Sequence, residues 1–202
     1  MNITDTEVQI KFNWFINRWG SMSMPGDNKT TPAQAKALNE LIGLVGESHV
    51  GGRTLCCLIG AQGSGKTWLS KHITSQGNFG QVRYVSVNDI VLNLLAKDPL
   101  FAEVFEFNSI TITTDLKRYG NRLRKAVHDL VAEQLLPEGL TILDHLELVF
   151  ALGMDPMTTW YNDAVGKRRI LLVLTGRMAG QLCRCGQYTL TRGDQPIVEL
   201  EA

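Results

Sequence analysis

No run of apolar residues in this chain approaches the roughly 20 needed to cross a bilayer as a helix, so a membrane partner is not expected. The opening stretch MNITDTEVQIKF has no basic segment leading into an apolar core, which argues against a secretory leader and for the cytoplasm. Charge of one sign is not in excess either. Twenty Lys and Arg stand against twenty Asp and Glu, so overall charge predicts neither a nucleic-acid coat nor attraction to a membrane surface. There are only four cysteines. Cys56 and Cys57 are adjacent in an apolar run, and the Cys183-x-Cys185 pair lacks a second ligand pair at zinc spacing. Reduced thiols are expected, not a disulfide framework and not a metal site built with His72, His128 or His145. No internal repeat or low-complexity tract occurs.

What the chain does hold is concentrated in residues 60–67, GAQGSGKT, a complete match to the phosphate-loop pattern G-x-x-x-x-G-K-[ST]. Such a loop turns its N–H groups onto a triphosphate at a helix N-terminus. Gly60, Ala61, Gln62, Gly63, Ser64, Gly65, Lys66, Thr67 and Trp68 are the expected nucleotide-binding residues. Gly63 and Gly65 supply the turn, Lys66 reaches the β and γ phosphates, and the Thr67 hydroxyl holds Mg²⁺. The flanks suit this reading: RTLCCLI at 53–59 is a β-rich apolar run, and TWLSKHITS at 67–75 suits a helix.

From residue 53 onward strands alternate with helices, which predicts an α/β fold with a parallel sheet covered on both faces. The five expected strands are 53–59, 81–87, 140–143, 170–174 and 197–201, in the order 5-1-4-3-2 of a P-loop NTPase. Helices are expected over 89–97 and 114–136, the second capped by Thr114 and stopped by Pro137-Glu138-Gly139. Residues 1–50 are expected to form an N-terminal helical extension and linker to the nucleotide core at 51–202. In that extension, residues 1–20 suggest a short helix or arm, and SMSMPGDNKT at 21–30 reads as linker. Thr31, Pro32 and Gln34 then carry the signature of a capping box for a helix to about Val45.

Further candidates follow from the strand ends. LTILD at 140–144 has the form of a strand delivering an acid beside Mg²⁺, which makes Asp144 the metal-supporting carboxylate with Thr67. The alternative is that Asp144 only caps the next helix. Where many hydrolytic P-loop ATPases carry Glu next, this chain has His145. Glu147, on the same face as Asp144 if a helix starts at once, is the first candidate to orient water. His145 is the second, and a loop that binds ATP without turnover is the third. Thr175, at the tip of the fourth strand, is a candidate γ-phosphate sensor, and Arg177 a candidate phosphate-contacting arginine in its own or a neighbouring subunit. Each competes with a plain structural role.

Two basic clusters stand out: Lys117, Arg118, Arg122, Arg124 and Lys125, then Lys167, Arg168 and Arg169. Either suits DNA or an acidic partner, or is simply solvated. Guanine is disfavoured because neither N/T-K-x-D nor D-x-x-G is present at the strand ends, so ATP is expected.

The run ILDHLELVF at 142–150, followed by Asp155-Pro156, a basic pair and an apolar strand ending at Gly176, resembles the small P-loop protein of type 3 BREX phage-defence systems. More generally it is similar to additional-strand, AAA+-like P-loop ATPases. The resemblance covers the loop and about residues 140–176 and does not extend to the N-terminal fifty residues or the basic helix. It implies an accessory ATPase working with larger defence subunits on DNA. The residues alone lead to an ATP-binding and ATP-hydrolysing subunit with larger protein partners and possible homo-oligomers. Its rivals are an assembly switch without turnover and a small-molecule kinase with Asp89 as base.

Overall fold

β1 (Thr54–Gly60) is buried along its whole length, because it lies between two other strands and has helices on both faces. The computed structural model describes residues 30–46, 54–97, 115–180, 182–185, 188–191 and 196–201. In chain order the further strands are β2 (Val82–Ser86), β3 (Gly139–Asp144), β4 (Arg168–Thr175), β5 (Arg177–Ala179), β6 (Leu182–Cys185), β7 (Tyr188–Thr191) and β8 (Ile197–Leu200). The helices are α1 (Pro32–Val45), α2 (Lys66–Ile73), α3 (Val87–Lys97), α4 (Asp115–Ala132), α5 (Glu147–Ala151) and α6 (Pro156–Thr159).

Five strands form an all-parallel sheet in the order β2-β3-β4-β1-β8. The other three, β5, β6 and β7, form a separate antiparallel meander between β4 and β8. The meander was not anticipated, and it makes the edge strand beside β1 the eighth in the chain where sequence counted it fifth. Its strands hold three or four residues each, too few for alternation to be distinctive.

Alternate residues of β1 serve two cores, as strand geometry requires. Leu55, Cys57 and Ile59 join one core with Val91 of α3, Val127 of α4, Val149 of α5 and Trp160. Cys56 and Leu58 join the other with Leu41 and Val45 of α1 and Leu69 and Ile73 of α2. Thus α1, which sequence assigned to an N-terminal extension, buries its apolar stripe on the sheet. Its capping box is present, with Thr31 Oγ1 accepting from the Gln34 amide and Gln34 Oε1 from the Thr31 amide.

Arg169 joins the layers. Its guanidinium donates to the Val45 carbonyl at the end of α1 and to the Phe79 carbonyl, both at 2.8 Å. Buried there, it belongs to the core of the fold and not to a basic contact cluster. Helix α4 buries Leu123, Val127 and Val131 at four-residue spacing. It ends at Ala132, four residues before the expected last helical residue, Leu136, and beyond it the amides of Gln134 and Leu135 tighten onto carbonyls three residues back. The expected Thr114 cap, the linker and the first twenty residues lie outside the described residues.

Candidate functional site

In an open parallel sheet, ligands bind outside the carboxyl ends of the strands, where connections on neighbouring strands diverge. β1 is such a position. It lies inside the sheet, yet the chain leaving it crosses β4 and β3 to form the far edge as β2. The GAQGSGKT segment is that crossing's first turn, running from the last residue of β1 into α2.

Glycine is required in this turn by geometry. Gly63 and Gly65 have φ of 80° and 89°, the left-handed region open to glycine without penalty. A Cβ on Gly60 would meet Ser64 Oγ at 2.6 Å and the Leu200 carbonyl at 2.9 Å. One on Gly65 would stand 2.5 Å from Gln34 Nε2. Gly65 is also the N-cap of α2 and offers no side chain to the helix amides. The amides of Gly63, Gly65, Lys66, Thr67 and Trp68 have no backbone acceptor among the described residues. These are the donors an anion at a helix N-terminus would satisfy.

Lys66 opens α2 and folds back over the loop, its Nζ donating to the Ala61 carbonyl at 2.7 Å. Burial holds its pKa below the ordinary 10.5, against the opposing pull of the Asp144 and Glu147 carboxylates. The three residues proposed for phosphate, metal and water are therefore electrostatic neighbours. Thr67 is half-buried in the first turn of α2, and the Ser70 hydroxyl donates to the Lys66 carbonyl. Trp68 uses its ring to stack on His72, with centroids 4.9 Å apart and planes 9° from parallel. Ala61 and Gln62 are exposed at the loop tip.

Asp144 ends β3 and is buried. Its Oδ2 accepts from the Tyr84 hydroxyl at 2.9 Å and its Oδ1 from the His145 amide at 2.7 Å. Burial first, and then the Asp144 charge, push the Tyr84 phenol well above its ordinary pKa, so Tyr84 stays a donor. No helix begins at Asp144. A two-residue turn follows, with His145 at φ 56°, and α5 starts at Glu147. The condition for Glu147 to share a helix face with Asp144, a helix starting at once, is therefore not met. The His145 ring sits with Nε2 4.0 Å from Asp144 Oδ2.

Asn88, one residue into α3, fastens this turn. Its side chain donates to Glu147 Oε2 at 2.9 Å and accepts from the Leu148 amide at 3.0 Å, while its own amide donates to the His145 carbonyl. Sequence reasoning missed Asn88, Tyr84 and the contact of Gln34 with Gly65. A polar residue next to a strand tip was the available signal for Asn88. Asp89, the base expected under the kinase alternative, is exposed in the first turn of α3.

Thr175 is exposed at the tip of β4, in register with Gly60 of β1, and the next amide, Gly176, donates to the Gly60 carbonyl at 3.0 Å. Arg177 is exposed and opens the meander, directly across from Arg184 of β6. Of the first basic cluster, Arg122, Arg124 and Lys125 are exposed on α4, and Arg124 Nε donates to the Leu152 carbonyl. Lys117 and Arg118 fall within α4, but their side chains lie outside the described residues. In the second cluster, Lys167 pairs with Glu138 at 3.1 Å on the surface.

No helix among the described residues is long and apolar enough to cross a membrane. No protein-family model and no curated protein matches the chain.

Proposed function

We propose that this chain is a P-loop ATPase subunit that binds ATP with Mg²⁺ and hydrolyses it within a larger assembly. The observation that carries the reading is the GAQGSGKT turn itself. It leaves an interior parallel strand at the point where the connection changes direction, with unpaired amides, Lys66 and two carboxylates converging.

Lys66 would exchange its bond to the Ala61 carbonyl for β- and γ-phosphate oxygens, which are stronger, charged acceptors. Thr67 and Asp144 offer the hard oxygen ligands that Mg²⁺ takes, and Asp144 is held in one orientation by Tyr84 and the His145 amide. Bound there, Mg²⁺ would neutralise charge building on the phosphates. Glu147 has one carboxylate oxygen on Asn88, which leaves the other to accept a hydrogen bond from water and direct it at the γ phosphorus. Thr175, exposed at the tip of β4 in register with Gly60, would contact the γ phosphate. ATP is preferred to GTP because β4 runs on into Thr175-Gly176-Arg177, which lacks the guanine-reading residues.

The likeness of residues 140–176 to the small P-loop protein of type 3 BREX systems supports work with larger defence subunits on DNA. Arg122, Lys125 and Arg177 are among the exposed cations open to such partners, or to a second copy of the chain. Glu147→Gln tests hydrolysis directly. ATP binding should persist while phosphate release falls by about a hundredfold or more, the range for loss of a general base. Unchanged release would remove Glu147 from the reaction.

A further inference from the structure

Beside the phosphate site, on the covered face of the meander, two thiols almost touch. Cys183 and Cys185 are alternate residues of β6, so both side chains point the same way, and both are buried. Their sulfurs are 3.3 Å apart. The other two cysteines have no such geometry: Cys56 and Cys57 are neighbours on β1 and face opposite cores.

The pair is mechanically joined to the loop. A Cβ on Gly176 would stand 3.1 Å from Cys185 Sγ and collide with the Arg184 carbonyl, so β6 presses directly on Gly176. The Gly176 amide in turn donates to the carbonyl of Gly60, the first residue of the phosphate loop.

We propose that Cys183 and Cys185 are a redox-active dithiol that closes to an intrastrand disulfide under a hydroperoxide, weakening the phosphate site. The first half stands on the sulfur geometry; the second rests on the nucleotide-binding reading. Cys183 is the attacking sulfur, since the hydrogen bond from Cys185 favours its thiolate while Cys185 is held protonated. The Cys183 thiol gives up its proton, its thiolate attacks one oxygen of hydrogen peroxide, the O–O bond breaks, and the departing hydroxide takes up that proton, leaving a sulfenic acid and one water. Cys185 Sγ then attacks that sulfur, the S–S bond forms, and the hydroxyl leaves with the Cys185 proton as a second water. Two thiols are oxidised and one peroxide is reduced.

Alternate residues of a strand have Cα atoms about 6.6 Å apart, at the long edge of the roughly 4.4–6.8 Å that a disulfide spans. Closure therefore draws β6 inward at the point where it presses on Gly176, and shifts the Gly176–Gly60 bond. A small peroxide reaches the pair by local opening of the meander, whose strands are only three or four residues long.

The test uses the whole chain, exposed to hydrogen peroxide, then unfolded and alkylated. Reduced protein should show four free thiols, the number in the sequence, and treated protein two fewer. Mapping with a protease that spares arginine should locate the loss in the peptide carrying Cys183 and Cys185, and dithiothreitol should reverse it. ATP affinity should fall by about tenfold or more on oxidation, within the usual range of coupling between sites, and recover on reduction. Four alkylated thiols after peroxide, loss mapped to Cys56 or Cys57, or irreversible sulfinic acid would overturn the dithiol. A clean disulfide with unchanged ATP affinity would overturn its control of the loop. If even the reduced protein bound no ATP, the nucleotide reading and the control would both fall, and the thiol count alone would judge the dithiol.

Discussion

Asn88 and Glu147, 59 residues apart in sequence, are joined by a 2.9 Å hydrogen bond from the amide side chain to the carboxylate. The same side chain accepts from the Leu148 amide, so one residue at the start of α3 fixes both the position and the rotamer of Glu147. The proposed water-orienting group is thus held from the helix that follows β2, the sheet edge farthest from β1.

Asn88→Ala frees Glu147 without touching a phosphate ligand. Turnover should fall by about ten- to a hundredfold, the cost of a mispositioned group, while ATP affinity stays within about threefold. Steady-state phosphate release and equilibrium binding separate the two effects. Wild-type turnover in the variant would show that Asn88 only pins the turn.

Gly65→Ala probes the loop's geometry. An L-residue at φ 89° costs about 1–2 kcal/mol, and the new Cβ would displace Gln34 Nε2 from 2.5 Å away, loosening the capping box of α1. Urea denaturation should show a loss of about 1–3 kcal/mol. In the Gln34→Ala background the loss should shrink, because the clash is gone and only the backbone term remains.

The strands β1, β3 and β4 were legible because each is a continuous apolar run bounded by turn residues, the pattern of a strand covered on both faces. The loop was legible because its glycines, lysine and threonine are contiguous. The support around it was not. Tyr84, Asn88 and Gln34 reach the site from β2, α3 and α1, and no local spacing records a contact made across 31 to 60 residues. Arg169 misled for the same reason: within Lys167-Arg168-Arg169 nothing marks the one guanidinium that turns inward to two carbonyls.

Alkaline pH should weaken nucleotide binding before it affects anything else at the loop. Burial has lowered the Lys66 pKa, so the charged form carries a cost to folding that is present below that pKa and fades as pH rises toward 10.5. A bound triphosphate raises the same pKa by supplying negative charge. Affinity should therefore be flat at neutral pH and then decline, by at most about tenfold per pH unit, once free Lys66 loses its proton. Lys66→Arg, which stays charged, should bind with no such decline. Isothermal titration from neutral to alkaline pH reads both.

The central claim is that the turn from β1 into α2 holds a triphosphate. Equilibrium titration of the whole chain with ATP and Mg²⁺, beside Lys66→Ala, tests it most directly. Lys66 gives the core little beyond its bond to the Ala61 carbonyl, so the variant should keep the wild-type fold by circular dichroism and thermal melting. It should lose ATP affinity by about a hundredfold or more, the scale of removing a charged hydrogen bond to phosphate. Wild-type affinity in a folded Lys66→Ala protein, or no ATP binding by the wild-type chain, would contradict the account.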